Sequence, residues 1–317
     1  MKNSTLILLL KKTFRVTGIS SFIHIFILLN SVIGGKTFKF LESIINNIKT
    51  KIKNLMSFNP DLQFTEKYIN TNSPSGFEEQ AQDVWEEQLT SQPNGNRVEI
   101  KRDNYGNSYA TLRSSEPNPT QHLIIDAHAD EIGFLVSDIT KDGYIRVRSL
   151  GGADITITAS TRVNIWPLKE QAMRGTPVKG VFGHPAIHVH RGDYKFKTKD
   201  SFIDLGLSSD ESVKALGIKV GSPITMDREF FQQGDYYAGK SLDDKMGGVI
   251  TSTILTNLLK DNVKLDFTLT IINSVQEEVG LHGAQMSIDV LKSIEPGARL
   301  QAIAIDVCHC TNSPAYS

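Results

Sequence analysis

The sequence predicts an α/β fold, and three observations carry that prediction. The runs HLIIDAH (from 122), LDFTLTIINS (from 265) and LQAIAIDV (300–307) are almost continuously apolar, as strands buried on both faces of a sheet are. Between them, Met246, Val249, Ile250, Ile254 and Leu258 recur at helical spacing over about 245–260. From about 140 to 235 the pattern changes to short strands set among Gly, Pro and polar residues, which reads as a small β-rich insertion.

The elements follow in order. Residues 1–55 stand apart: Lys11, Lys12 and Arg15 precede an apolar run, 19–34, broken by Ser20, Ser21, His24, Asn30 and Ser31. That run is short and polar for a spanning helix, and it lacks a clear small-residue cleavage site. We read it as an extension outside the fold: upstream sequence before a start at Met56 or, as lesser readings, a signal anchor or an unrecognised targeting peptide. Ser75 and Glu78 form a capping-box pattern ahead of Phe77, Ala81, Val84, Trp85 and Leu89 at helical spacing. Strands are expected at VEIKR (98), SYATL (108), HLIIDAH, GFLVS (133) and YIRVRSL (144), the last two joined by a turn ending at Gly143. TRVNIW, VKGVF and a short helix over about 208–216 belong to the insertion. The helix 245–260, the strand LDFTLTIINS, the loop QEEVGLHG, a helix over about 284–293 and the strand LQAIAIDV complete the chain. This divides it into a discontinuous α/β domain, 56–139 and 235–317, and an inserted domain, 140–234.

Composition excludes several classes. With 317 residues, 39% hydrophobic and 22% charged, the chain is neither disordered, collagen-like nor a coiled coil. A net charge of −1 supplies no basic field, so no nucleic-acid partner is expected. The two cysteines, Cys308 and Cys310, permit no disulfide framework, which favours a reducing, cytoplasmic setting.

Acidic and imidazole groups cluster at the ends of expected strands, where open α/β sheets bind ligands. In AHADEIG, Asp126, His128 and Asp130 lie at alternate positions and share a face; a carboxylate beside a histidine orients its ring toward a metal. A hydrogen-bonded histidine at a strand edge would look the same. In GKSLDDKMGG, Asp243 and Asp244 either cap a helix or supply a carboxylate bridging two cations. In SVQEEVGLHGA, Glu277 and Glu278 end an apolar run, where adjacent carboxylates are costly to bury without a cation. One of the pair can bind metal while the other acts as a base. Asp306 ends AIAIDV and is a fourth candidate. The run Cys308, His309, Cys310 cannot close a zinc site, which needs about four ligands.

Taken together, these motifs resemble the co-catalytic metal aminopeptidases that form tetrahedral particles: the glutamyl, deblocking and leucyl aminopeptidases once misnamed cellulases. The resemblance runs from about 60 to 317 through SPSGFEEQ, DNYGN, AHADEIGFLV, LGGAD, FIDLG, GKSLDDKMGG, QEEVGLHGA and AIAIDV with HCTNSP. It implies a mixed central sheet flanked by helices, zinc-exopeptidase-like, with a small β-barrel-like dimerisation domain inserted. It implies that His128 and Asp306 bind one metal, that Glu278 binds another, and that Asp243 bridges them. Glu277 would be the general base, Asp130 would orient His128, and the Asp243–Asp244 peptide would be cis. The implied enzyme is an aminopeptidase removing the N-terminal residue of peptide substrates. It would use two divalent ions, zinc or cobalt, that share a hydroxide, and the full-length family would self-associate through the inserted domain into a dodecamer.

Departures from that pattern set further expectations. The family's last metal histidine lies well beyond Asp306, and His309 and His282 are poor substitutes for it. The chain is therefore expected to be a C-terminally truncated member, with an unpaired sheet edge, poor stability and little activity; a non-catalytic assembly subunit is the alternative. Asn312 stands where the family usually has Asp. A glycosidase using Glu277 and Glu278 is disfavoured, because neighbouring strand residues do not oppose one another across the ~5–9 Å such a pair spans.

Overall fold

The computed structural model describes residues 60–168, 173, 175–189 and 200–308, with the backbone of residues 6–9 and 23–29. The expectations for the rest of 1–55, for His309 and Cys310, and for Asn312 lie outside the described residues.

The α/β half is built on a seven-stranded mixed sheet. Its strands are β1 (Leu6–Leu9), β2 (Ile23–Leu29), β3 (Val98–Arg102), β4 (Ser108–Leu112), β5 (Gln121–His128), β14 (Thr268–Ser274) and β15 (Arg299–Val307). Their order is β1-β2-β15-β5-β14-β4-β3. The apolar strands form the centre, where β5 lies parallel to both β14 and β15 and places Ser274 beside His128. The polar hairpin β3–β4 closes one side. On the other side β2 runs antiparallel to β15, with Ala304 opposite Phe26 and Asp306 opposite His24. The edge of β15 expected to be unpaired is thus paired, by a segment whose Ile-rich composition suits a strand.

Helices cover both faces. On one, α1 (Leu62–Asn70), α2 (Glu79–Thr90) and α4 (Leu242–Lys260) bury Tyr68, Ile69, Trp85, Leu89, Val249 and Leu255 against Ile125, Leu269 and Ile271. On the other, α6 (Ile288–Ile294), preceded by the short α5 (His282–Met286), lays Leu291 on Tyr109, Ile124 and Ile272. The single helix expected over 284–293 is therefore two, joined at Ser287. The capping box also does not form. Helix α2 starts after Glu78, whose carboxylate instead accepts the Gly76 and Gln276 N–H groups, while the Ser75 hydroxyl donates to Asp130. Tertiary partners for both side chains displace the local cap.

The insertion is a closed six-stranded barrel, in the order β10-β7-β6-β11-β8-β9. Its strands are β6 (Gly133–Ile139), β7 (Ile145–Leu150), β8 (Arg162–Ile165), β9 (Val178–Gly183), β10 (Phe202–Asp204) and β11 (Pro223–Met226). Phe134, Val147, Ile165, Phe182, Ile203 and Ile224 fill it. The helix α3 (Asp210–Ala215), capped by Ser209, adds Val213. The hairpin turn falls at Gly143, as its spacing predicts, with φ of 83°. The barrel begins at Gly133 rather than near 140, because β6 pairs with β7 and β11 and not with the central sheet. A two-stranded ribbon, β12 (Phe231–Gln233) and β13 (Tyr236–Ala238), leads back to α4.

Candidate metal centre

The parallel strands β5, β14 and β15 end on the same side of the sheet, and α4 starts there. This brings His128, Glu277 with Glu278, Asp306 and Asp243 to one place from four separate stretches of sequence. His128 is 3% exposed, so its ring is held and not free to turn away. Its Nε2 lies 3.2 Å from Asp243 Oδ1 and 3.7 Å from Glu277 Oε2. One donor atom from each of His128, Asp243 and Asp306 lies within 4.8 Å of the other two. Glu278 is outside that tight set, yet Asp243 and His128 act on it electrostatically. The Asp243–Asp244 peptide is cis, as the resemblance implies.

Asp130 is fully buried. Its Oδ2 accepts the Ser75 hydroxyl at 2.6 Å and the Glu278 N–H at 3.2 Å, and its Oδ1 accepts the Glu277 N–H at 3.0 Å. Toward His128 the nearer group is its backbone carbonyl, 3.1 Å from Nδ1; the carboxylate stands at 3.4 Å. Asp130 therefore fixes the Glu277–Glu278 loop as firmly as it faces the histidine.

The charge pattern is what a cation site requires. Burial opposes a charge on His128, but hydrogen bonds to Asp130 and Asp243 outweigh it and raise its pKa to about 12. Burial, then the Asp243 carboxylate, pushes Glu278 up to about 7. Burial and the neighbouring carboxylates likewise raise Glu277 and Asp306. Asp244 is raised well above the usual range, chiefly by burial, and its Oδ2 has no hydrogen-bond partner among the described residues. Carboxylates crowded around one imidazole repel one another, and a divalent cation would relieve that repulsion. One imidazole nitrogen with several carboxylate oxygens is a donor set suited to zinc or a similar divalent ion. The residues present fit the implied group.

Two contacts beside the site were not expected. The Lys240 ammonium donates to both oxygens of Glu131, at 2.6 and 2.8 Å. Glu78 ties its own loop to Gln276, next to Glu277. The adjacency of Glu131 to Asp130 and of Lys240 to the aspartate pair was visible, but nothing in the sequence places those two segments side by side.

A mixed α/β domain with an inserted barrel thus presents a cation-competent cluster at its strand ends. The sequence pattern of the M42 glutamyl aminopeptidase family matches residues 106–317, and the chain belongs to that family. Aminopeptidase APDkam598 of the archaeon Desulfurococcus kamchatkensis superposes with a TM-score of 0.67 at 30% identity, over 80% of this chain and 65% of that one. A Pyrococcus horikoshii TET1 peptidase, described as assembling into a tetrahedron or a large octahedral shell, matches at TM-score 0.60 and 26% identity, over 71% and 64% of the two chains. The lysyl aminopeptidase of Pyrococcus furiosus is 27% identical over 194 residues, 60% of this chain and 52% of its own length. SgcX of Escherichia coli (strain K12), an aminopeptidase by provisional assignment, is 28% identical over 250 residues and covered to 62%. The chain thus spans between half and two thirds of the length of these relatives. No helix among the described residues is long and apolar enough to cross a membrane.

Proposed function

We propose that the protein is a metal-dependent aminopeptidase, acting on the N-terminal residue of peptides in the cytoplasm. The observation that carries this reading is the convergence of His128, Asp243 and Asp306 within 4.8 Å at the ends of parallel strands. We assign His128 and Asp306 to one divalent ion, Glu278 to a second, and Asp243 to both. When bound, the ions supply Lewis acidity, polarising a carbonyl and lowering the pKa of a water. Glu277, aimed into the cluster 3.7 Å from His128, takes the proton of the attacking water and returns it to the leaving amine. Asp130 holds the Glu277 and Glu278 backbones so that base and ligand keep their places. With the Nδ1 proton of His128 donated to the Asp130 carbonyl, Nε2 is the nitrogen that would take a cation, in place of the proton it shares with Asp243.

We also assign self-association to the barrel, whose surface carries the exposed apolar residues Val181 and Val220, and whose family includes the tetrahedral and octahedral TET1 assemblies.

The test is hydrolysis of aminoacyl-anilides by purified protein loaded with zinc or cobalt. Activity should disappear on chelation and return with the ion. Glu277→Gln should lower kcat by about 10²–10⁴, the usual contribution of a general base, with KM little changed. Chelator-resistant hydrolysis, or a fully active E277Q, would refute the assignment.

A further inference from the structure

His128 and Asp243 must stand close enough to share a cation, yet the whole barrel separates them in the chain. Inter-strand bonds fix β5, but Asp243 enters from the ribbon side on a segment that no strand of the sheet holds. Something must set the distance between the two segments. Glu131 follows His128 on the strand exit, and Lys240 precedes Asp243 at an equal remove. Their side chains meet at 2.6 and 2.8 Å.

Each end of this pair is itself anchored. Glu131 Oε1 accepts the Ser73 N–H at 2.8 Å, the Glu131 N–H donates to the Ser73 carbonyl at 2.9 Å, and the Glu131 carbonyl accepts the Ser75 N–H at 3.3 Å. Beside Lys240, the Ser241 hydroxyl donates to the Ile69 carbonyl at 2.9 Å. The Lys245 ammonium, on the far side of the aspartates, donates to the Thr71 carbonyl. The side chains of Lys240 and Glu131 are only 7% and 3% exposed, so neither greets a substrate. With both its oxygens on Lys240, Glu131 is also no donor to a cation. A buried ion pair is weak evidence for stability, because desolvation offsets most of its attraction. Its geometric precision is the property left to explain it.

We propose that Lys240 and Glu131 are positioning residues: their ion pair sets the separation of His128 and Asp243 and so the affinity for the cation those two share. This rests on the functional reading above. It makes the Asp130–Glu131 dipeptide a double brace, with Asp130 holding the Glu277–Glu278 loop and Glu131 holding the Asp243 segment.

The test titrates cobalt(II) into chelator-treated full-length protein, following the d–d absorption, and measures the thermal midpoint of the metal-free protein in parallel. Lys240→Met alone strands a buried carboxylate and can fail to fold, so the informative variant is the double E131Q/K240M. It removes both charges and keeps an acceptor for Ser73. We expect it to bind cobalt at least tenfold more weakly than wild type with altered band intensity, while its metal-free midpoint stays within a few degrees. K240R should recover most of the affinity. Wild-type cobalt affinity in the double variant would overturn the proposal, as would a loss of affinity matched by an equal collapse of the metal-free midpoint. If the wild-type protein takes up no cobalt, the metallopeptidase reading fails first and this one with it. If wild type and double variant bind equally, only the brace fails.

Discussion

Replacing Asp130 by Asn tests the central hydrogen-bond hub of the site. Asp130 presents two charged oxygens to Ser75, Glu277 and Glu278 at 2.6–3.2 Å in a fully buried position. Asn presents one oxygen and one NH₂. With its oxygen toward Ser75 and Glu278, the NH₂ confronts the Glu277 N–H; flipped, it confronts that of Glu278. Either way one buried backbone donor loses its acceptor, at about 1–3 kcal/mol, and the remaining bonds lose their charge assistance. We expect about 3 kcal/mol less stability in the metal-free protein, read by urea denaturation. Cation affinity should fall less steeply. The His128 Nδ1 proton keeps the Asp130 carbonyl at 3.1 Å, which the substitution does not touch, so the tautomer survives. Loss of a supporting carboxylate typically costs about 10–100-fold in metal affinity, and the retained carbonyl argues for the lower end. Zinc titration against a competing chelator dye reads this directly. A D130N protein with unchanged urea midpoint and unchanged zinc affinity would refute the reasoning.

Three further outcomes are expected. His122 is buried with Nε2 on the Thr270 hydroxyl, and burial, with a smaller contribution from Arg113, lowers its pKa from 6.5 to about 4. A depressed histidine stabilises the fold above its unfolded pKa and loses that contribution as pH falls, so wild type should lose stability between about pH 6.5 and 4 relative to His122→Gln; parallel denaturation profiles would count against this. Burial raises Glu78 from 4.5 to about 7, so its neutral form is the one the fold favours, and wild-type stability should decline relative to Glu78→Gln as pH rises through that interval. The amide retains an acceptor for Gly76 and Gln276, and a large loss of stability for E78Q at pH 5 would contradict this account. Gly151 has φ of 72°, and a Cβ there would lie 3.1 Å from both Glu278 Cβ and Ile132 Cγ2. Gly151→Ala should cost about 1 kcal/mol for the left-handed backbone and more for the contact, and should weaken binding of a second cation more than of the first in a two-step titration.

The fold was legible wherever burial imposed a period. VEIKR and SYATL form strands with the expected limits, and the apolar run before His128 became the central strand β5. The candidate residues were legible because charged groups ending apolar runs are physically anomalous: burial raises Glu277, Glu278 and Asp306 in the structure for the same reason that they drew attention in the sequence. What stayed hidden depended on distant partners. Ser75 and Glu78 carry a valid local capping pattern, yet Asp130 and Gln276 recruit them instead. The strands Phe202–Asp204 and Pro223–Met226 are too short to show alternation, and only closure of the barrel makes them strands. The pairing of Lys240 with Glu131 needs the barrel to return the chain to its starting point, which no local pattern encodes.

That return explains why so much of the site is concentrated in one short run. Between His128 and Gly133 the chain passes from the central sheet, through Asp130 and Glu131, into the first barrel strand. A Cβ on Gly133 would lie 3.3 Å from Pro74 Cβ, and the Thr225 hydroxyl donates to Asn72 across the same junction at 2.7 Å. The barrel is therefore seated against the α/β half where it departs, not tethered by a hinge. Its far loop brings Gly151 back against Glu278. A barrel that shifted would drag on Ile132 at one end and on Glu278 at the other, so the contacts that seat the barrel also fix one wall of the proposed cation site. Under that geometry, any partner that clamps the barrel restrains the site through packed atoms, and substitutions at the junction should alter cation binding before they alter the barrel's own fold.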